Sequence, residues 1–285
     1  MYMDIIDSHH HLWDTGHLQY TLFDTIPVLN RSFTQVDFDA LAARHHVRRS
    51  VCVEAASAGA DGLAEVRWLL DQARRSSVVE RLVVWAPLDQ PHLRTYLDQV
   101  AGLDDGCITG VRRSFEFEAP DFPSSNEVVA GINMLAEYGY TCDLVFYHRS
   151  LPAVVELVKA CPGVQFILDH LGKPPIREAR FDPWARQLAE LAACPNIVCK
   201  VSGLTTEAEH QRWTRTELKP YIDHALQCYG WDRVMFGSDW PVCNLAGGFE
   251  RWLDAILWAI ADATEDNKRR FFSENARRIY RLDAF

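Results

Sequence analysis

The feature that most constrains this 285-residue chain is a rhythm. Short apolar runs, rich in Val, Ile and Phe and bounded by Gly, Pro, Asp or Asn, recur at 3–7, 49–55, 81–89, 107–115, 141–147, 164–172, 196–204 and 233–241. Each reads as a buried strand. Segments of helical periodicity separate them, at 38–47, 62–75, 92–101, 126–139, 152–161, 183–194 and 217–230, and two more, 249–263 and 266–282, close the chain. Strands alternating with helices predict a parallel sheet with helical crossovers. Eight such units predict a closed (β/α)8, TIM-like barrel. An open doubly wound sheet is the alternative, but no glycine-rich phosphate loop follows the first run. Without linker, repeat or low-complexity stretch, residues 1–285 read as one domain. Asn126 and Asp182 are placed to cap helices, and Gly139 and Gly230 to end them in left-handed turns.

Hydrophobic residues make up 48% and charged residues 24%, enough for a large core without staples. The net charge of −10 argues against nucleic acid and acidic membranes as partners. No stretch of about 18 apolar residues occurs, and "MYMDII" is too short and acidic for a secretory leader. The chain reads as cytoplasmic. Its eight cysteines form no CxxC pair and read as buried free thiols.

Barrel chemistry sits at the C-terminal ends of the strands, so the polar residues that end apolar runs are the candidates. The first run leads to His9, His10 and His11, the second to Glu54, the fourth to Arg112 and Arg113. The fifth leads to His148, the sixth to Asp169 and His170 followed by Lys173, the seventh carries Lys200 and Ser202, and the eighth ends in Asp239. Strand alternation puts His9 and His11 on one face with Asp7, and His10 on the other, packed behind the barrel. By the same alternation Asp169 faces away from His170. A paired HxH at a barrel mouth, with an aspartate ending the last strand, can hold one metal ion or one substrate oxygen. Gly237 and Ser238 suit a tightly shaped pocket beside Asp239. Of the two arginines, Arg112 shares a face with Gly110 and is the favoured pocket candidate, one of the pair is expected to make an external salt bridge, and which of Arg112 and Arg113 faces the pocket is left open. His45 and His46 fall on a helix surface.

Six segments in order, "DSHHHLWD", "GVRR", "DHLGKP", "NIVCKVSGL", "VMFGSDWPV" and "ENARRIYRL", resemble the amidohydrolase superfamily, in the branch called amidohydrolase family 2. They are most similar to its sugar lactonases of the L-fucono- and L-rhamnono-lactonase type. The resemblance runs from residue 7 to about 282. It implies a distorted (β/α)8 barrel that hydrolyses a small ring ester, with His9 and His11 as the first-strand pair, His170 on the sixth strand and Asp239 on the eighth. Many members carry a further ligand ending strand 5. Here "CDLVFYHRS" has no lysine there, and His148 falls late. A single divalent ion such as zinc, on His9, His11 and Asp239, is therefore expected rather than two, and activity without a metal is compatible with the branch.

In this reading Asp239 is the general base, and His9, His11 and His170 surround water and carbonyl. Arg112 and Lys200 supply positive charge, and Glu54 and His148 contact substrate. Trp13 and Trp240 either stack on the sugar or pack in the core. The long segments 15–33 and 116–125 are candidate lids. The partner is a small-molecule sugar lactone; the oligomeric state, ring size and stereochemistry stay open. Alternatives are a zinc-dependent decarboxylase, a pyrone or muconolactone hydrolase, a metal-dependent nuclease, or a non-catalytic sugar-binding barrel.

Overall fold

A computed structural model of the protein describes residues 4–55 and 62–282. Its strands are β1 (Ile5–His11), β2 (Val47–Val53), β3 (Val79–Trp85), β4 (Ile108–Ser114), β5 (Thr141–Val145), β6 (Phe166–Leu168), β7 (Ile197–Val201) and β8 (Val234–Phe236). They pair in sequence order, every pair parallel. The ring closes where the chain after β8 meets β1. His10 and Trp240 form a parallel bridge, and His11 N donates to Trp240 O at 2.7 Å. The architecture is a (β/α)8 barrel, not an open sheet.

Two layers of apolar packing hold it together. The larger lies between strands and helices. The smaller fills the barrel: Ile6, Val51, Val53, Val83, Ile167, Val198 and Met235 meet Ala276, Ile279, Tyr280 and Leu282. The last helix therefore plugs the barrel floor and leaves the opposite end for the site. No helix among the described residues is long and apolar enough to cross a membrane.

The elements depart from expectation where local geometry overrides pattern. The closing helical segment is interrupted: a π turn at Arg270–Glu274 separates Glu265–Arg269 from Asn275–Tyr280. The wider turn lets the adjacent Phe271 and Phe272 both pack fully buried, with ring centroids 5.0 Å apart. Neither polar cap is as expected. Ser125 Oγ, not Asn126, accepts from Val128 N, and the helix after Asp182 starts on Pro183 without a side-chain cap. Gly139 does end its helix in a left-handed turn at φ +67°, whereas Gly230 follows its helix at φ +66° but with ψ 170°, outside the left-handed helical region. All eight cysteines are free, Cys107 and Cys228 half-buried rather than buried.

Candidate active site

Strands β6 and β8 are only three residues long, and the turns that succeed them build the site. After Leu168 the chain enters left-handed conformations at His170 and Leu171, and Asp239 adopts φ +57°. Such angles are strained for residues with a Cβ and collect at functional turns. They also explain one correction. Asp169 keeps the inward alternation of Ile167, while His170 reaches the mouth because the backbone has left the strand. Both side chains therefore point inward, where strand alternation alone had separated them.

The first strand is re-aimed as well. Its pairing with β2 is irregular between Asp7 and His10. Ile6 faces the barrel interior below the irregularity, and His9 and His11 face the mouth above it. Such bulges redirect side chains beside active sites. Asp7, expected on the same face, does not reach the mouth. Its Oδ1 accepts from Ser238 N at 2.8 Å and His9 N at 3.1 Å, tying β1 to the turn after β8. Burial pushes the Asp7 carboxyl up to about 6 against those two bonds. His10 lies behind, stacked on Phe38 with Nε2 3.0 Å from Ser50 Oγ. Position 237 admits only glycine, since a Cβ at Gly237 would meet His9 Cβ at 2.7 Å.

Three imidazoles face one carboxylate. Asp239 Oδ1 lies 3.4 Å from His11 Nε2, 3.7 Å from His9 Nε2 and 3.9 Å from His170 Nε2. His9 and His11 approach each other Nε2 to Nε2 at 3.1 Å. His11 Nδ1 donates to the carbonyls of Val53 and Glu54, at 3.0 and 2.9 Å. A neutral His11 thus presents the Nε2 lone pair to Asp239, acceptor against acceptor, which calls for a proton or a cation between them. Tetrahedral ligands at zinc bond lengths sit about 3.3 Å apart, close to the separations in the His9, His11, Asp239 triangle. His9, His170 and Asp239 also offer ligand atoms within 4.8 Å of one another. The donor set fits one ion. Burial holds His9 well below its ordinary value and lowers His170. Burial would raise Asp239, but His170, His11 and His9 outweigh it and keep the carboxylate ionised. Ser202 Oγ, 2.8 Å from His170 Nδ1, orients that ring.

Arg112 lines the cavity, and its guanidinium is fixed from behind: Nε donates to Glu54 Oε1 at 2.6 Å and Nη1 to Asp169 Oδ2 at 3.2 Å. Glu54 is therefore not a substrate contact as expected; fully buried, it commits its carboxylate to Arg112. Lys200 is likewise corrected. It points inward, but it is fully buried beneath His9, with Nζ 3.1 Å from His9 Nδ1, and it does not line the cavity. Both tryptophans pack in the core. Trp13 stacks on Phe23 and donates to Arg31 O at 2.7 Å, touching the cavity only at its wall. Trp240 packs on Phe33 and Phe38. Arg113 makes the external bridge, to Asp89 at 3.0 Å and Glu118 at 2.7 Å. His45 leans on Phe249, and it and His46 are half-buried rather than fully exposed.

Above these residues opens a cavity of about 890 Å³. Thr21 to Leu29 and Glu116 to Phe117, from the two long segments, form part of its walls. Its apolar lining includes Leu22, Phe23, Ile26, Leu29, Val242 and Leu245. Its polar lining includes His148, whose Nδ1 lies 3.2 Å from Lys173 O, and a Glu116–Lys173–Glu207 cluster with Lys173 Nζ 3.1 Å from Glu207. Sequence reasoning missed that cluster and also missed Asp143, which is fully buried on β5. A lone carboxylate inside "TCDLVF" was the available signal, since a buried charge requires a partner.

Fold and site together define a barrel hydrolase built on an HxH strand and a closing aspartate. Residues 6–282 match the amidohydrolase family, and the chain belongs to it. It is 32% identical to an L-fucono-1,5-lactonase of Burkholderia ambifaria, over 98% of this chain and 96% of that protein. It is 31% identical to another of that name from Burkholderia multivorans, over 97% and 96%. A solved amidohydrolase structure from B. multivorans, with zinc bound, superposes with a TM-score of 0.88 at 29% identity, covering 98% of this chain and all of that one. The chain is an enzyme of hydrolytic type.

Proposed function

We propose that the protein opens a sugar lactone to its aldonic acid, with an L-fuconolactone-type substrate as the leading candidate. The observation that carries this reading is the charge balance of the cavity. Among the described residues, its cations are Arg112, Arg149, Lys173 and Arg177, and its anions are Glu116, Glu178, Glu207 and Asp239. Four against four suits a neutral, hydroxylated ring better than the dianion of a pyrone dicarboxylate or an aromatic acid bound for decarboxylation. The apolar lining residues, among them Phe23, Ile26 and Leu29, give a place for a ring carbon edge or a methyl group. The lactonase names of the relatives support the same reaction class.

In this mechanism Asp239, held ionised among the histidines, takes a proton from the attacking water. Arg112, oriented by Glu54, stabilises charge developing on the carbonyl oxygen. The ring C–O bond then breaks, and Asp239 returns the proton to the leaving oxygen. His170, fixed by Ser202, donates from Nε2 or accepts there according to its protonation state. One zinc-type ion held by His9, His11 and Asp239 would act as a Lewis acid on the carbonyl and lower the pKa of the water. The test is acid release, read with a pH indicator, from a panel of aldonolactones and from a pyrone dicarboxylate, each with and without chelator. Turnover confined to the aldonolactones supports the reading; turnover confined to the dianion overturns it.

A further inference from the structure

Directly beneath the cavity the barrel holds a second set of metal-type ligands. His9, Asp143 and Asp169, all buried, each offer one ligand atom within 4.8 Å of the others. Two carboxylates sealed from water need a cation nearby, because an uncompensated buried charge is costly. The cation present is part of the chain. Lys200 Nζ lies 2.5 Å from Asp143 Oδ2, 3.1 Å from Asp169 Oδ1 and 3.1 Å from His9 Nδ1. An ammonium has three N–H donors; here two are placed to bond Asp143 Oδ2 and His9 Nδ1, and Asp169 Oδ1 is held as an ion-pair partner. The outer partners complete the set: Tyr280, from the helix that plugs the floor, donates its hydroxyl to Asp143 Oδ2 at 2.8 Å, and Arg112 donates to Asp169 Oδ2.

We infer that Lys200 is a resident cation filling a second divalent-metal position, and that it restricts this barrel to at most one exchangeable ion. His9 is the residue the two positions share. Its Nδ1 meets Lys200 and its Nε2 faces Asp239. A second dication on Nδ1 would set two double charges across one imidazole, whereas lysine places a single charge there and cannot leave. Lys200 and Asp169 make opposite demands on the tautomer of His9. Lysine can only donate to Nδ1, and Asp169 Oδ1, 3.2 Å from the same atom, can only accept from it. A ring protonated on Nε2 takes the lysine bond. A ring protonated on Nδ1 takes the aspartate bond and frees Nε2 for an ion, the carboxylate–histidine–metal arrangement. The inference holds whichever ester the site opens.

The test is a cobalt count on the full-length protein, by equilibrium dialysis and visible absorption, with circular dichroism to report folding. Wild type takes up no more than one equivalent of Co²⁺. Lys200→Ala, which leaves three ligands around a void, takes up one equivalent more than wild type, and Lys200→Ala/Asp143→Asn loses that extra equivalent. Should Lys200→Ala need Co²⁺ to fold, the count is made on protein refolded with it. Two equivalents in wild type, a folded Lys200→Ala with the wild-type count, or no folding even with Co²⁺ would each overturn the inference.

Discussion

Arg112 reaches the cavity with its Nε donating to Glu54 Oε1 at 2.6 Å, so a fully buried carboxylate that does not line the cavity sets the direction of the site's fixed positive charge. Arg112 Nη2 also donates to Glu54 O at 2.8 Å, which anchors the guanidinium to the end of β2. Glu54→Gln keeps the shape of the side chain and removes its charge. Turnover should fall by about 10-fold to 100-fold, the range for a group that orients a functional residue, with a smaller change in KM. Steady-state kinetics on an aldonolactone check this; an unchanged kcat would mean that Arg112 is positioned without Glu54.

Asp239→Asn should cost the most. The amide cannot take the proton from water, and general-base contributions are about 10²-fold to 10⁴-fold. The turn is held by backbone bonds, including Asp239 N to His9 O at 2.8 Å, so the circular dichroism spectrum should not change. Near wild-type turnover would remove Asp239 from the role of base.

Gly203 supports His170 by having no side chain. A Cβ there would lie 2.4 Å from His170 Nδ1, and the residue has φ +64°. Gly203→Ala should therefore displace the ring and lower kcat by more than Ser202→Ala, which removes only the hydroxyl 2.8 Å from Nδ1. Comparing kcat for the two folded variants tests the order; a larger loss in Ser202→Ala would show that the hydroxyl, not the space, governs His170.

The barrel itself was legible because its strands are apolar on both faces and regularly spaced. His9, His11, Arg112, His170 and Asp239 were legible because each interrupts or ends such a run. Glu54 and Lys200 stood out for the same reason, yet their work is to hold Arg112 and to neutralise buried carboxylates, and a strand pattern does not say whether an ionisable group meets substrate or another side chain. Asp169 was misplaced because alternation was counted from His170, which reaches the mouth only through a left-handed turn, whereas Asp169 itself still alternates with Ile167. The Glu116–Lys173–Glu207 cluster joins loops distant in sequence, which no local pattern reports.

That cluster should make stability depend on pH. Burial would raise Glu116, but Lys173 outweighs it and lowers the carboxyl below its ordinary 4.5. A lowered carboxyl contributes stability above its unfolded value and loses it as pH falls through the folded one. Lys173 is raised: Glu116 and Glu207 outweigh the burial that opposes its charge, so its contribution is lost only in strong alkali. Glu116→Gln should lower Tm by roughly 2 °C at neutral pH, the shift for about 1 kcal/mol in a chain this long, and the gap to wild type should close as pH drops below 4.5. Melting curves from pH 3 to pH 8, spanning the ordinary glutamate value, would show it; a gap independent of pH would assign the effect to shape rather than charge.

Neighbouring histidines on β1 should differ in whether they take up an ion. His11 Nδ1 is committed to the carbonyls of Val53 and Glu54, so Nε2 carries the lone pair toward Asp239. His10, between the two site histidines in sequence, turns Nε2 to Ser50 and stacks its ring on Phe38. Zinc titration by calorimetry should therefore separate neighbours in the chain. His11→Ala should weaken binding by about 10-fold to 100-fold or more. His10→Ala should lose stability through the lost ring packing and leave zinc affinity unchanged. The fit predicts at most one equivalent per chain, with affinity falling in acid as protons compete for the imidazoles. Equal losses in the two variants would mean that the ion does not sit on the face that His9 and His11 share.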